Sequence, residues 1–281
     1  MIDTIVLSGG GMKGLGQLGV LHYLHYNNMI ENVHTFISTS IGVIISYLVC
    51  IGYTPLDIIT RICTNGLIQQ LSQIDISSAV LGSGAIDTSN IIEFIEELTL
   101  EKLLYIPTMK DLSEMGYTFV GCTYNFTEGK IRYISTIDDP DLCITKMIQM
   151  CITIPFIFKP CIIDGICYVD GAFSNNFPIN LIRPFCDYTR VLGINVCGYM
   201  EPLAGSDNCI KPNLSTIMRL MNIPLQADVD RNCKHIPEKS IIHLDIPTCD
   251  LLDFNMNTTD KLNTFDEGYK YAEQHYNTHK K

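Results

Sequence analysis

The sequence predicts an α/β protein, a β-sheet covered by helices on both faces. Three observations carry that prediction. Short apolar runs of strand length alternate along the chain with longer segments of helical spacing, the order that gives a sheet packed between helices. Twice within residues 2–42 a strand-like run breaks off into small residues and passes into a helix. The run 5–7 stops at Ser8-Gly9-Gly10-Gly11, and Phe36-Ile37 stops at Ser38-Thr39-Ser40-Ile41-Gly42. No composition break, internal repeat or low-complexity tract divides the chain, so residues 1–281 are expected to form one domain.

In order along the chain, Leu15, Leu18, Leu21 and Leu24 put one apolar face on a helix over residues 14–26, which Asn27-Asn28 ends. Residues 41–53 form the longest apolar run, 13 residues interrupted by Ser46, and predict a helix buried on all sides. A membrane span needs about 20 such residues, so no transmembrane segment is expected. Thr54-Pro55 turns the chain into residues 56–63. Residues 64–86 are weakly patterned, punctuated by Gly66, Gly82 and Gly84, and read either as a cap segment or as an ordinary surface loop.

Thr88 or Ser89 can cap a helix whose face is Ile91, Ile95 and Leu98. Residues 117–122 and 130–135 predict a hairpin turning at Thr127-Glu128-Gly129. Residues 144–152 are helical in pattern. The apolar segment 154–160 lies between Pro155 and Pro160 and cannot be regular helix. A second hairpin, 161–163 with 166–169, turns at Asp164-Gly165 and runs into Asp170-Gly171-Ala172, with Asn175-Asn176-Phe177-Pro178 close behind. Residues 190–196 and 240–244 predict two further strands. A last helix over about 259–275 carries Leu262, Phe265, Tyr269 and Ala272 on one face.

The formal charge of -11 makes nucleic acid a poor partner and argues against purely electrostatic recruitment to anionic membranes. Hydrophobic or neutral-headgroup contact stays open. The chain has 12 cysteines but no C-x-x-C pair, and Met1-Ile2-Asp3 runs straight into a strand without a signal-type h-region. Reduced thiols in a cytoplasmic compartment are the expectation.

Residues 9–14 satisfy G-x-G-x-x-G, a pattern shared by unrelated sites. A dinucleotide fold wants an acid at the end of the second strand, where this chain has Ser-Thr-Ser; Glu31 precedes that strand. A phosphate loop wants Gly-Lys-Ser/Thr, and Lys13 is followed by Gly14. The third reading is an anion cradle: backbone N–H groups across Gly9, Gly10, Gly11, Met12, Lys13 and Gly14, at the positive end of a helix, suit the oxyanion of an acyl intermediate. Residues 38–42 resemble the nucleophile elbow G-x-S-x-G, with Ser40 at its centre, Gly42 after it and Ser38 in place of the first glycine. A nucleophilic serine needs a base. His22 and His25 fall in a helix, His34 in a loop and His243 inside a strand. Asp170 ends a strand before two small residues and is the better candidate.

Together GGGMKG, STSIG and YVDGAFSNNFP, with IPFIFKP between the last two, resemble the patatin-like phospholipase family over most of residues 3–185. The resemblance implies a modified α/β-hydrolase fold, a three-layer αβα sandwich with a mostly parallel central sheet, and a Ser–Asp dyad in place of a triad. Carried over by position, Ser40 is the nucleophile, Asp170 its base, and Gly10 and Gly11 the heart of the oxyanion hole. Ser38 departs from the family's usual glycine. The implied activity is that of a lipid acyl hydrolase without metal or cofactor, acting on phospholipids or related acyl lipids in transient contact with a membrane surface. Segment 64–86 and the proline-bounded Phe156 and Phe158 are the candidates for that contact. Three rivals stand beside it: a Ser40–Asp170–His243 triad, a non-catalytic lipid-binding module, and a nucleotide-binding protein using the glycine loop.

Overall fold

In the computed structural model, which describes residues 1–65, 86–182, 187–197, 223, 226–247, 253 and 256–279, the first strand has no solvent face. Ile5 and Leu7 point into a large core on one side and Val6 into a smaller one on the other, and all three are fully buried. That is the alternation a central strand requires. Among the described residues the sheet has eight strands: β1 (Thr4–Leu7), β2 (Thr35–Thr39), β3 (Thr118–Asn125), β4 (Lys130–Ser135), β5 (Cys161–Ile163), β6 (Ile166–Asp170), β7 (Val191–Val196) and β8 (Ile241–Leu244). Their order is β5-β6-β3-β2-β1-β7-β8, with β4 also on β3. Strands β3, β2, β1, β7 and β8 run parallel to one another; β4, β5 and β6 add the antiparallel part, so the sheet is mixed.

The larger core lies under α1 (Leu15–Tyr26), α2 (Ile41–Cys50), α3 (Pro55–Thr64), α4 (Ser89–Leu103), α5 (Met109–Glu114), α6 (Ile144–Ile152) and the last helix, α8 (Thr258–Thr278). The short α7 (Ala172–Asn175) follows β6. On the opposite face Val6 and Ile37 meet Phe177, Ile179 and Ile182, together with Val229 and Ile236 from and beside the helical residues 226–233. Three layers result, one thick and one thin. Among the described residues no single helix is long and apolar enough to cross a membrane.

The register of β3 decides where the ends of two other strands meet. Val120 to Cys122 pair with β2 and β4 at once, so those two lie on opposite edges of β3. Thr123 to Asn125 pair with β4 and β6 at once, so β6 lies on the β2 edge. Cys122 faces Thr39, the last residue of β2, and Thr123 faces Asp170, the last residue of β6. Two strands running towards each other therefore end nose to nose on one edge, about one residue rise of ~3.3 Å apart. The residue after the first is Ser40, and the second ends in Asp170 itself.

Several local expectations need correction. Helix α1 has no single apolar face: from Leu15 to Leu24 every residue except His22 is buried, because Gly16 and Gly19 let α8 pack against the side turned away from the sheet. A Cβ on Gly268 would collide with the Gly16 carbonyl, and one on Gly19 with the Phe265 carbonyl. The buried stripe of α8 is consequently Lys261, Thr264, Gly268 and Ala272, and Leu262, expected inside, is 46% exposed. So close a crossing selects small residues over large apolar ones. Helix α4 begins after Thr88, but its first amide, Ser89 N, donates to Asp87 rather than to the Thr88 hydroxyl. Helix α5, unforeseen, is held by a reciprocal capping box between Thr108 and Asp111.

The segment after α6 does avoid regular helix, and it separates the two phenylalanines. Phe158 is packed inside at 5% exposure, which removes it from the surface candidates; Phe156 is 53% exposed. Phe156 also takes φ of 69°, a left-handed conformation that a bulky side chain adopts only under constraint. Ile86 pairs with Phe158 through Ile86 N to Ile157 O at 2.7 Å, and Lys159 Nζ meets Asp87 Oδ2 at 3.1 Å. The remainder of the expected cap, residues 66–85, lies outside the described residues.

Candidate active site

Ser40 takes φ of 54° and ψ of -126°, a strained turn between β2 and α2. A Cβ on Gly42 would lie 2.8 Å from Leu7 Cβ and 2.9 Å from Ser8 O, so only glycine lets α2 start this close to β1. Ser40 precedes the first turn of α2, yet its hydroxyl makes no cap bond. Ser40 Oγ instead donates to Asp170 Oδ2 at 2.5 Å.

Asp170 is fully buried. Its second oxygen, Oδ1, accepts from Ala172 N at 2.8 Å, and its own amide donates to Thr153 O at 2.9 Å. Burial pushes its carboxyl up to about 7, against the opposing pull of the bonds from Ser40 and Ala172. A carboxylate poised there can exchange a proton with a serine hydroxyl near neutral pH.

The glycine segment forms a short 3-10 turn, Gly11–Gly14, leading into α1. Of the amides expected to line an anion cradle, two are already committed: Gly9 N donates to Asn176 O and Lys13 N to Gly10 O, both at 3.0 Å. Gly14 ends the 3-10 turn, where the turn's own i→i+3 bonding takes the amide. The cradle narrows to Gly10, Gly11 and Met12, whose amides open the turn and have no acceptor within it. Lys13 is buried at 3% exposure with no carboxylate of the described residues at ion-pair distance, so its charge adds to the positive end of the turn.

Polar contacts that sequence reasoning did not anticipate hold the two turns together. Ser8 Oγ donates to Gly9 O at 2.9 Å and accepts from Val196 N at 2.8 Å, while Gln17 Nε2 donates to Ser8 O at 2.8 Å. A buried glutamine in an apolar helix was the available sequence signal for this clamp. Thr39 Oγ1 donates to Asn175 O at 3.0 Å, so consecutive carbonyls of Asn175 and Asn176 hold the elbow and the glycine loop. Ser38, in β2, lies against Ser46 of α2 with their hydroxyl oxygens 2.7 Å apart, both side chains fully buried. The extra Cβ and hydroxyl at this position are thereby accommodated, with a hydrogen bond, by a small polar residue one layer away.

Gly171 and Ala172 continue the turn after Asp170, and a Cβ on Gly171 would lie 2.7 Å from Cys122 Sγ. His243 is not brought to Ser40. It sits on β8, where its Nδ1 pairs with Asn195 Nδ2 at 3.2 Å, while both oxygens of Asp170 are used by Ser40 and Ala172. Among the described residues no cluster of histidine, cysteine or acidic side chains has metal-holding geometry.

Comparison with known proteins bears on the family and the fold. A family model, patatin-like phospholipase, matches residues 5–182. A probable lipid hydrolase of Invertebrate iridescent virus 6 is 31% identical over 182 residues, 63% of this chain and 62% of that protein. An uncharacterized protein of Acanthamoeba polyphaga mimivirus is 27% identical over 226 residues, 76% of this chain and 70% of its own. Among solved structures, VipD from Legionella pneumophila superposes with a TM-score of 0.57 at 15% identity, covering 99% of this chain and 67% of VipD. ExoU of Pseudomonas aeruginosa, in its heterodimeric complex with SpcU, gives 0.55 at 15% identity, 99% of this chain and 51% of ExoU. The chain thus spans less than two thirds of the iridescent-virus relative and about half of ExoU, and the structural likenesses show a shared fold.

Proposed function

Since the chain belongs to the patatin-like phospholipase family, we propose that it is a lipid acyl hydrolase in which Ser40 and Asp170 form the catalytic dyad. The observation that carries this reading is the 2.5 Å bond from Ser40 Oγ to Asp170 Oδ2, made by a serine held at φ of 54°. Ser40 Oγ attacks the carbonyl carbon of a fatty-acyl ester while its proton passes to Asp170. The carbonyl oxygen takes the negative charge and is met by the amides of Gly10 and Gly11, at the end of a turn whose dipole favours it. When the intermediate collapses, Asp170 returns the proton to the departing alcohol and leaves an acyl-enzyme. Water then attacks that ester, Asp170 accepting its proton, and the fatty acid is released with Ser40 restored.

An isolated carboxylate of pKa about 3.9 is a weak base. Burial lifts Asp170 to about 7 and brings it closer to the working pH. The substrates in this reading are phospholipids or related acyl lipids, met at a membrane surface. Phe156 supports that contact: it is an exposed aromatic held in a strained turn, in the segment that follows Thr153, whose carbonyl holds the Asp170 amide. The site of action in this reading is peripheral to membranes in a reducing, cytoplasmic compartment.

The test is a fluorophosphonate probe followed by lipid product analysis. Wild type should be labelled at Ser40 and should release fatty acid from phosphatidylcholine vesicles. Ser40→Ala should abolish both, and Asp170→Asn should cut hydrolysis at least 1000-fold. Full hydrolysis by Ser40→Ala would refute the dyad.

A further inference from the structure

We propose that Asn176 touches the substrate, its carboxamide donating a hydrogen bond to the acyl oxygen beside the glycine loop; the proposal rests on the dyad reading above. Residues 175 and 176 are chemically identical, and the structure uses them differently. Asn175 is buried at 5% exposure and its side chain is spent inside the protein, Nδ2 donating to Tyr133 OH at 3.0 Å and to Asn180 Oδ1 at 2.9 Å. Asn176 is only half-buried, and among the described residues its carboxamide has no hydrogen-bond partner.

That carboxamide sits at the centre of the site. A Cβ placed on Gly9 would collide with Asn176 Oδ1, and the same Cβ would lie 3.2 Å from Ser40 Cβ and 3.5 Å from Ala172 Cβ. One small volume therefore borders the glycine loop, the nucleophile, the turn after the base and the Asn176 side chain. The backbone explains why a side chain is needed there. Asn176 O accepts the Gly9 amide at 3.0 Å, which takes that N–H out of the cradle. The same residue that withdraws one donor from the loop carries another on its side chain, whose carboxamide borders the volume beside Ser40. Oδ1 lies against Gly9, and a rotation of this otherwise unbonded carboxamide about its terminal torsion brings the two Nδ2 hydrogens to a ligand in that volume. An asparagine amide is a chemically sufficient third donor for an oxyanion.

The consequence separates Asn176 from a spacer of the same shape. Aspartate is isosteric with asparagine but has no N–H to give, and its charge opposes a developing oxyanion. Asn176→Ala and Asn176→Asp are compared with wild type on a soluble p-nitrophenyl ester and by the second-order rate of Ser40 labelling with a fluorophosphonate, whose phosphoryl oxygen occupies the same place. The expected result is a fall in kcat of about 100-fold for Asn176→Ala, with KM within about threefold, an equal or larger loss for Asn176→Asp, and labelling slowed in parallel. Melting temperatures of the two variants show that both are folded; if Asn176→Ala is not, Asn176→Asp carries the comparison alone. An active, labelled wild type with Asn176→Asp within threefold of it overturns this assignment and leaves the dyad standing. A wild type that neither turns over ester nor accepts the probe overturns the hydrolase reading and this assignment with it.

Discussion

Replacing Asp170 by asparagine should make the protein more stable while removing its activity, and the gain should depend on pH in a way the structure fixes. Asp170 is fully buried, and its carboxyl stands at about 7 in place of its ordinary 3.8. Between those two values the folded state holds a proton that the unfolded chain has lost. Stability therefore falls as pH rises through this window, and the loss is complete once pH exceeds the folded value. At 1.36 kcal/mol per unit, the cost of burying Asp170 comes to about 2 kcal/mol at pH 5, where the folded state keeps the proton, and about 4 kcal/mol at pH 8, where it has lost it. Asparagine mimics the protonated acid and escapes this cost. Its Oδ1 can accept the bond from Ala172 N, and its Nδ2 can donate to Ser40 Oγ, so neither partner is stranded. Urea unfolding of both proteins at pH 5 and pH 8 measures the difference directly. The variant's lead should widen by about 2 kcal/mol between the two pH values, other titrations cancelling because both proteins share them. A lead that is the same at both pH values, or a variant less stable than wild type at pH 8, would show that Asp170 pays no such penalty.

The same carboxyl predicts the pH profile of catalysis: kcat/KM for a soluble ester should rise about tenfold per pH unit below about 7 and level off above it, and a midpoint under pH 5 would contradict the role of a buried base. Ser38→Gly should destabilise by about 1–3 kcal/mol by leaving the Ser46 hydroxyl buried and unbonded. Adding Ser46→Ala should recover part of that in thermal melting; a double variant no more stable than Ser38→Gly would show that the two hydroxyls are not coupled. Phe156→Gly should relieve the left-handed strain and raise stability by up to about 1 kcal/mol, while weakening flotation with phosphatidylcholine vesicles. Unchanged flotation would remove Phe156 from the lipid contact.

The candidate site was legible in the sequence where chemistry and chain position coincide. Ser40 declared itself by a strand that breaks into small residues before a helix, and Asp170 by ending a strand at Gly171-Ala172; both signals are local. What stayed hidden depends on partners far along the chain. Nothing near Gly9 says that its amide is taken by Asn176, nor does anything near Lys261 say that it, and not Leu262, turns inward. Helix α1 shows the same limit. A periodic row of leucines marks one packed face, whereas a face packed through glycines leaves no apolar pattern to read. Ser46 lies between: a lone hydroxyl in an apolar helix is visible, but its purpose appears only once Ser38 is seen opposite it. Phe156 and Phe158 were equivalent in sequence and were separated by a single positive φ.

The meeting of β2 and β6 on one edge of β3 also bears on when Ser40 gains its partner. The serine is synthesised early and sits in a turn that α2 and β1 can shape by themselves. Its partner arrives 130 residues later, on a hairpin whose place on β3 is free only because β2 stops at Thr39. Closing so long a loop is entropically slow compared with forming the local turn. A nascent chain therefore carries a shaped serine without its carboxylate partner until β6 has been made and has docked on β3. On the proposed dyad, hydrolysis waits for β6 to dock, and a folding intermediate can present the elbow before its base is in place.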